Sequence, residues 1–166
     1  MDVFEMIDSP IRGYRGALTE VSRRIVQKAG TDTCGPAVAK RLLFDIQGQR
    51  ISQHVLNERM ITNWRKPGYD QAKALAQAMS DVSTGPKWIH KPFTAPDEGV
   101  EFLKSLEGKE FDSFIGIIGK RGEHAVIIDR VSHSVVTLRD PADGFTRHVP
   151  VGWFHSSFFD IIRRGT

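Results

Sequence analysis

Apolar positions along this chain follow two different periods, and the change falls near residue 85. Over residues 16–29, Leu18, Val21, Ile25 and Val26 share one stripe and Gly30 closes it, which predicts a helix. From residue 34 to 46, Ala37, Val38, Leu42 and Ile46 again recur at helical spacing. Pro36 suits the first turn of that helix, where a missing N–H leaves nothing unpaired. Gly48 ends it. The spacing predicts two shorter helices over 52–61 (Val55, Leu56, Met60) and 70–80 (Ala72, Leu75, Ala76, Met79). Asp70 is the cap of the second, and Lys66-Pro67-Gly68 forms the loop between them.

The second half is rich in Val, Ile, Phe and Gly. Residues 86–91 predict a short strand. Pro96-Asp97-Glu98 opens a helix that runs to Leu106, with Val100, Leu103 and Leu106 inward. Residues 114–118, 124–131, 134–139, 145–149 and 158–162 then read as strands. Gly119-Lys120-Arg121-Gly122 and Pro141-Ala142-Asp143-Gly144 read as turns. Helices followed by strands predict an α+β domain, with helices packed on a C-terminal antiparallel sheet.

Composition narrows the picture without changing it. At 166 residues and 40% hydrophobic, the chain predicts a single domain over 1–166, with 1–15 as a linker-like lead-in. The net charge of +3 is small and its basic residues are scattered, so nucleic acid is not an expected partner. No apolar run approaches the ~20 residues that span a bilayer, so no membrane association is expected. Met1-Asp2-Val3-Phe4-Glu5 lacks the layout of a signal peptide. The expected site of action is the cytoplasm, reached if need be by delivery from a larger parent protein or a secretion machine.

One cysteine is present, Cys34, too few for an internal disulfide or a cysteine metal site. Its setting favours chemistry over packing. It stands at the mouth of a predicted helix, where unpaired N–H groups and the helix dipole favour an anion. A free thiol titrates near pH ~8.5, and a helix N-terminus with a histidinium beside it lowers that by units. Gly35 allows close approach, and the Cys34 N–H can help bind an oxyanion.

Among six histidines, His124 stands out, because it opens the apolar run Ala125-Val126-Ile127-Ile128. His54, His90, His133, His148 and His155 read as structural or solvated. A catalytic imidazole needs a partner that fixes its tautomer. Asp140 lies sixteen residues downstream, across a hairpin centred near Ser132-His133. A three-residue loop centred on Ser132 puts His124 opposite Asp140; one centred on His133 makes them diagonal neighbours on one face. A two-residue loop puts them on opposite faces. Asp129 points to the other face of its strand, and Asp143 reads as a turn residue. Core packing is the first reading of Trp88, Trp153 and Phe154 and lining a cleft the second, and the 52–80 segment is a candidate to cover one side of that cleft.

Asp32-Thr33-Cys34-Gly35-Pro36-Ala37, Gly122-Glu123-His124-Ala125-Val126 and Asp140-Pro141 resemble the papain-like cysteine peptidases. The nearest branch is the bacteriocin-leader-processing peptidases, with related bacterial toxin effector domains. The resemblance spans roughly residues 20–160. It implies Cys34 as nucleophile, His124 as general base and acid, and Asp140 as orienting residue. It also implies a glutamine oxyanion donor six residues before the cysteine. That place holds Lys28 here, and Gln27 takes the role only if the Gly30-Thr31 loop carries one extra residue.

The expected function is therefore a cysteine peptidase acting on a specific protein through a Cys-His-Asp triad. No metal or organic cofactor is implied. The expected setting is an antibacterial effector domain, monomeric, with a cognate immunity protein that blocks the active site. Two alternatives stay open: a glutamine deamidase or transglutaminase on the same triad, and a non-catalytic binding module of the same shape.

Overall fold

A computed structural model describes residues 34–119 and 124–165. The predicted helix over 16–29, the lead-in over 1–15 and Gln27 lie outside the described residues. Four helices and six strands follow in order: α1 (Cys34–Gln47), α2 (Gln53–Trp64), α3 (Gln71–Val82), β1 (Trp88–Pro92), α4 (Glu98–Ser105), β2 (Phe114–Ile118), β3 (His124–Ser132), β4 (Val135–Arg139), β5 (Thr146–Pro150) and β6 (Phe158–Arg164). A short 3-10 helix, Val151–Phe154, precedes β6; the sequence pattern did not foresee it.

The helix caps follow the side chains. Ser52 accepts from the Val55 N–H and Asp70 from the Lys73 N–H, so each replaces one bond that the first turn lacks. The strands form one antiparallel sheet in the order β1-β6-β2-β3-β4-β5. This is the expected α+β arrangement.

Two apolar layers flank the sheet. On one face, Ala37, Val38, Leu42 and Leu43 of α1 pack with Leu56, Met60, Leu75 and Met79 against Ile115, Ile117, Ala125 and Ile127. On the other, Val100 and Leu103 of α4 and Phe154 cover Phe114, Val126, Ile128, Leu138 and Ile161. The alternation along β2 and β3 thus sends neighbouring residues to different layers, as a strand buried on both faces requires. Each fully buried Leu or Ile contributes ~1.5–3 kcal/mol.

The β3–β4 hairpin corrects the expected turn. Ser132 pairs with Val135, so the loop is the two residues His133 and Ser134. Both have positive φ, 54° and 60°, the geometry that fits the right-handed twist of a two-residue hairpin.

Candidate active site

A two-residue turn by itself would send His124 and Asp140 to opposite faces of the sheet. The ladder does not stay in that register. Arg130 pairs with Thr137, but Ile128 pairs with Leu138, so Asp129 is an extra residue on β3. The ladder ends with Ile127 opposite Arg139, and one further step in that register would set Asp140 across from Val126 rather than Ile127, with the parity of His124. The bulge undoes the parity of the turn. His124 Nε2 then lies 2.7 Å from Asp140 Oδ1.

Cys34 reaches this pair as the first residue of α1. The helix packs against β3, and its thiol hydrogen-bonds to the His124 side chain. With Nε2 held by Asp140, Nδ1 is the ring nitrogen left for the sulfur. The three side chains that the sequence singled out therefore form one chain of contacts, Cys34 to His124 to Asp140.

The charges in that chain are cooperative. Burial alone pushes the Cys34 thiol up, but the hydrogen bond and charge of His124, with backbone bonds at Ala125 and Gly35, outweigh it and hold the thiol below its ordinary value. Burial likewise pushes the imidazolium down. The hydrogen bonds and charges of Asp140 and Cys34 overcome it and raise His124 to about 9. Both shifts favour a thiolate beside an imidazolium.

Asp140 is fully buried. Besides His124, its Oδ1 accepts the Ala142 N–H at 2.9 Å and its Oδ2 accepts Arg147 Nη1 at 3.2 Å. Arg147 is itself 1% exposed and also donates to Asp143, by Nη1 at 3.1 Å and by Nη2. The sequence reading missed Arg147. Its signal was present: Arg147 shares the inward parity of Val149 on β5, and a buried guanidinium demands a carboxylate. Asp143 is a turn residue as expected, accepting the Phe145 N–H at 2.8 Å. Asp129 is engaged elsewhere, paired with both Nε and Nη2 of Arg139.

A cleft of about 210 Å³ opens beside the sulfur. Cys34, Gly35, His124 and Ala125 form its floor, and Met60, Ala72, Leu75 and Ile117 supply apolar wall. The 52–80 segment does flank the groove, through Met60 of α2 and the start of α3. Trp88, Trp153 and Phe154 do not line it. Trp88 and Phe154 are buried in the two cores and Trp153 packs on the second.

Four of the five remaining histidines have ordinary partners, and His133 is a residue of the β3–β4 turn. His148 contacts Thr137, while His54, at 77% side-chain exposure, and His155 lie beside surface carboxylates. His90 Nε2 is 2.7 Å from Asp160 Oδ1. With Asp70 they bring one ligand atom each within 4.8 Å of one another, the one grouping among the described residues with the donor set for a cation. Asp70 is also the cap of α3 and Asp160 the partner of His90, so both carboxylates already have other work.

No family model matches the sequence, and no curated protein does. Solved structures do resemble it. The peptidase domain of Streptococcus ComA, a bi-functional ABC transporter of a quorum-sensing pathway, aligns with a TM-score of 0.59 at 20% identity, covering 86% of this chain and 99% of that one. A double-glycine-motif protease from an AMS/PCAT transporter, solved with its leader peptide, aligns at 0.56 and 14% identity, over 91% and 94%. A Bacillus anthracis protein described as a C39-like peptidase aligns at 0.55 and 12% identity, over 90% and 98%. The chain therefore has the papain-like cysteine peptidase fold, in the form seen in C39-type domains.

Proposed function

We propose that this protein is a cysteine peptidase that hydrolyses peptide bonds of a specific protein substrate through Cys34, His124 and Asp140. The observation that carries this reading is the placement of one imidazole between a helix-terminal thiol and a buried carboxylate. The Cys34 thiolate adds to the scissile carbonyl carbon, and the charge passes to the carbonyl oxygen. Collapse of that intermediate breaks the C–N bond as the His124 imidazolium gives its proton to the leaving amine. A thioester remains on Cys34. Water then attacks it while His124 takes the water proton, the C–S bond breaks, and the thiolate returns. The Cys34 backbone N–H is the oxyanion donor in this scheme, with Gln27 joining it only if the Gly30-Thr31 loop carries one residue more than the resemblance expects.

The setting belongs to the same proposal. The domain acts as a monomer in the cytoplasm of a competing bacterium, after delivery, and its producer carries an immunity protein that covers the cleft. The substrate is a protein or peptide rather than nucleic acid or lipid.

Terminal-selective proteomics on cells expressing the wild type or Cys34→Ala tests the reaction. New N-termini present with the wild type and missing with Cys34→Ala are the expected result. An intact target carrying a glutamine converted to glutamate would replace proteolysis by deamidation. An undiminished phenotype with Cys34→Ala would leave only a binding role.

A further inference from the structure

Asp140 has no exposed surface, so its carboxylate has given up its water. A buried carboxylate left without compensation takes up a proton. Protonated, it could no longer stabilise an imidazolium, and the thiolate beside that imidazolium would lose its counter-ion. Donors that stand in for the water include His124 Nε2, the Ala142 N–H and Arg147 Nη1. Of these three, Arg147 alone brings a charge that no accessible pH removes.

Arg147 is also held in place. Its Nη1 donates to both Asp140 Oδ2 and Asp143 Oδ1, and its Nη2 donates to Asp143 as well. Asp143 in turn closes the 141–144 turn by accepting the Phe145 N–H. The planar fork of arginine also holds Asp143 with both terminal nitrogens, a two-point grip that fixes the nitrogen facing Asp140 and that the single ammonium of lysine lacks. The two oxygens of Asp140 are thereby divided. Oδ2 faces the guanidinium while Oδ1 is aimed at His124.

We infer that Arg147 is a positioning residue for the active site: it keeps the buried Asp140 carboxylate ionised and directed at His124, and through them keeps Cys34 a thiolate. This rests on the peptidase reading and deepens it. The charged groups facing Asp140 in this network are His124 from β3 and Arg147 from β5, with Asp143 behind Arg147 and Cys34 behind His124.

The test compares the full chain with Arg147→Met, Arg147→Lys, Asp140→Asn and the Arg147→Met/Asp140→Asn pair. Three readouts are needed: the rate of Cys34 alkylation by iodoacetamide at pH 6, the titration of the His124 ring by NMR, and the midpoint of thermal unfolding. Arg147→Met should alkylate about tenfold more slowly, with His124 titrating about one unit lower, since one unit is a factor of ten. Arg147→Lys should fall between it and the wild type.

The double variant separates positioning from simple packing. Asp140→Asn should lower the unfolding midpoint while Arg147 is present. It should raise the midpoint in the Arg147→Met background, where it removes a stranded charge. If Arg147→Met does not fold, recovery of folding in the double variant supports the inference, and failure of the double variant as well overturns it. Equal alkylation rates in Arg147→Met and wild type would also overturn it. A wild-type Cys34 as slow as a free thiol at pH 6 would instead overturn the peptidase reading on which it stands.

Discussion

Arg139 Nη1 donates to Asp45 Oδ2 across 2.7 Å, and this bond ties the helix that begins at Cys34 to the strand that ends beside Asp140. Arg139 is 2% exposed and holds Asp129 with its other nitrogens. Arg41 adds a second bond to Asp45 at 2.8 Å. Asp45→Asn removes the charge that Arg139 faces across the layer while leaving Asp129 in place. The expected loss is ~1–3 kcal/mol in urea unfolding, the usual cost of weakening a buried charged hydrogen bond. Alkylation of Cys34 should slow with it, because α1 sits less firmly on the sheet. A variant as stable as the wild type would show that the clamp is incidental.

The two-residue turn offers an opposite kind of test. His133 and Ser134 both occupy left-handed backbone conformations that Asn and Gly adopt more readily. His133→Asn with Ser134→Gly should stabilise the chain by about 1 kcal/mol, since left-handed φ costs ordinary residues roughly that much. The added freedom of glycine in the unfolded chain offsets part of the gain. Thermal unfolding reads the sign directly. Destabilisation would mean that the hairpin turns elsewhere.

How much of this was legible in the sequence varies by element. The helices were, because their apolar stripes match the buried faces of α1 and α3 and Asp70 caps as its position suggests. The strands were, to within a residue or two at their ends. Cys34, His124 and Asp140 could be named, because each residue type is costly or reactive in the place it occupies. Their convergence could not. It depends on the extra residue at Asp129, and a bulge leaves no mark in an alternating pattern that is buried on both faces. Arg147 and Arg139 were not singled out, since charge alone does not say that a guanidinium is buried. The aromatic residues follow the core-packing reading that their size favoured over a cleft. Trp88 and Phe154 fill cores, because large rings are needed there more often than in a cleft.

Stability should depend on pH in a way that exposes the coupling of Cys34 and His124. The folded value of His124 is raised, to about 9, so its contribution is complete below its ordinary value of 6.5 and is lost as pH rises through about 9. The folded value of Cys34 is lowered from 9.0, so its contribution is present above 9.0 and is lost as pH falls through the folded value. Over the interval between, the two slopes oppose each other. Cys34→Ser leaves the imidazole alone with Asp140. Its stability should therefore fall more steeply than that of the wild type as pH rises from 6.5, measured by urea unfolding at several pH values. Parallel curves would show that sulfur and imidazole do not share a proton.

The cleft can be tested by blocking it. Ala72 lies on its wall at the start of α3. Ala72→Trp should abolish cleavage of a protein substrate yet leave alkylation of Cys34 by small iodoacetamide within about twofold, because the nucleophile and its partners are untouched. Equal loss of both would place the obstruction at the sulfur itself. Unchanged cleavage would place the substrate elsewhere.

The central claim is that His124, held by Asp140, is a cation that draws the Cys34 thiol below its ordinary value. The rate of Cys34 alkylation across pH, in the wild type and in His124→Ala, tests it most directly. The expected wild-type profile rises at lower pH than that of an ordinary thiol, and the His124→Ala profile is displaced upward toward it. Superimposable profiles, both rising only near the ordinary thiol value, would contradict it.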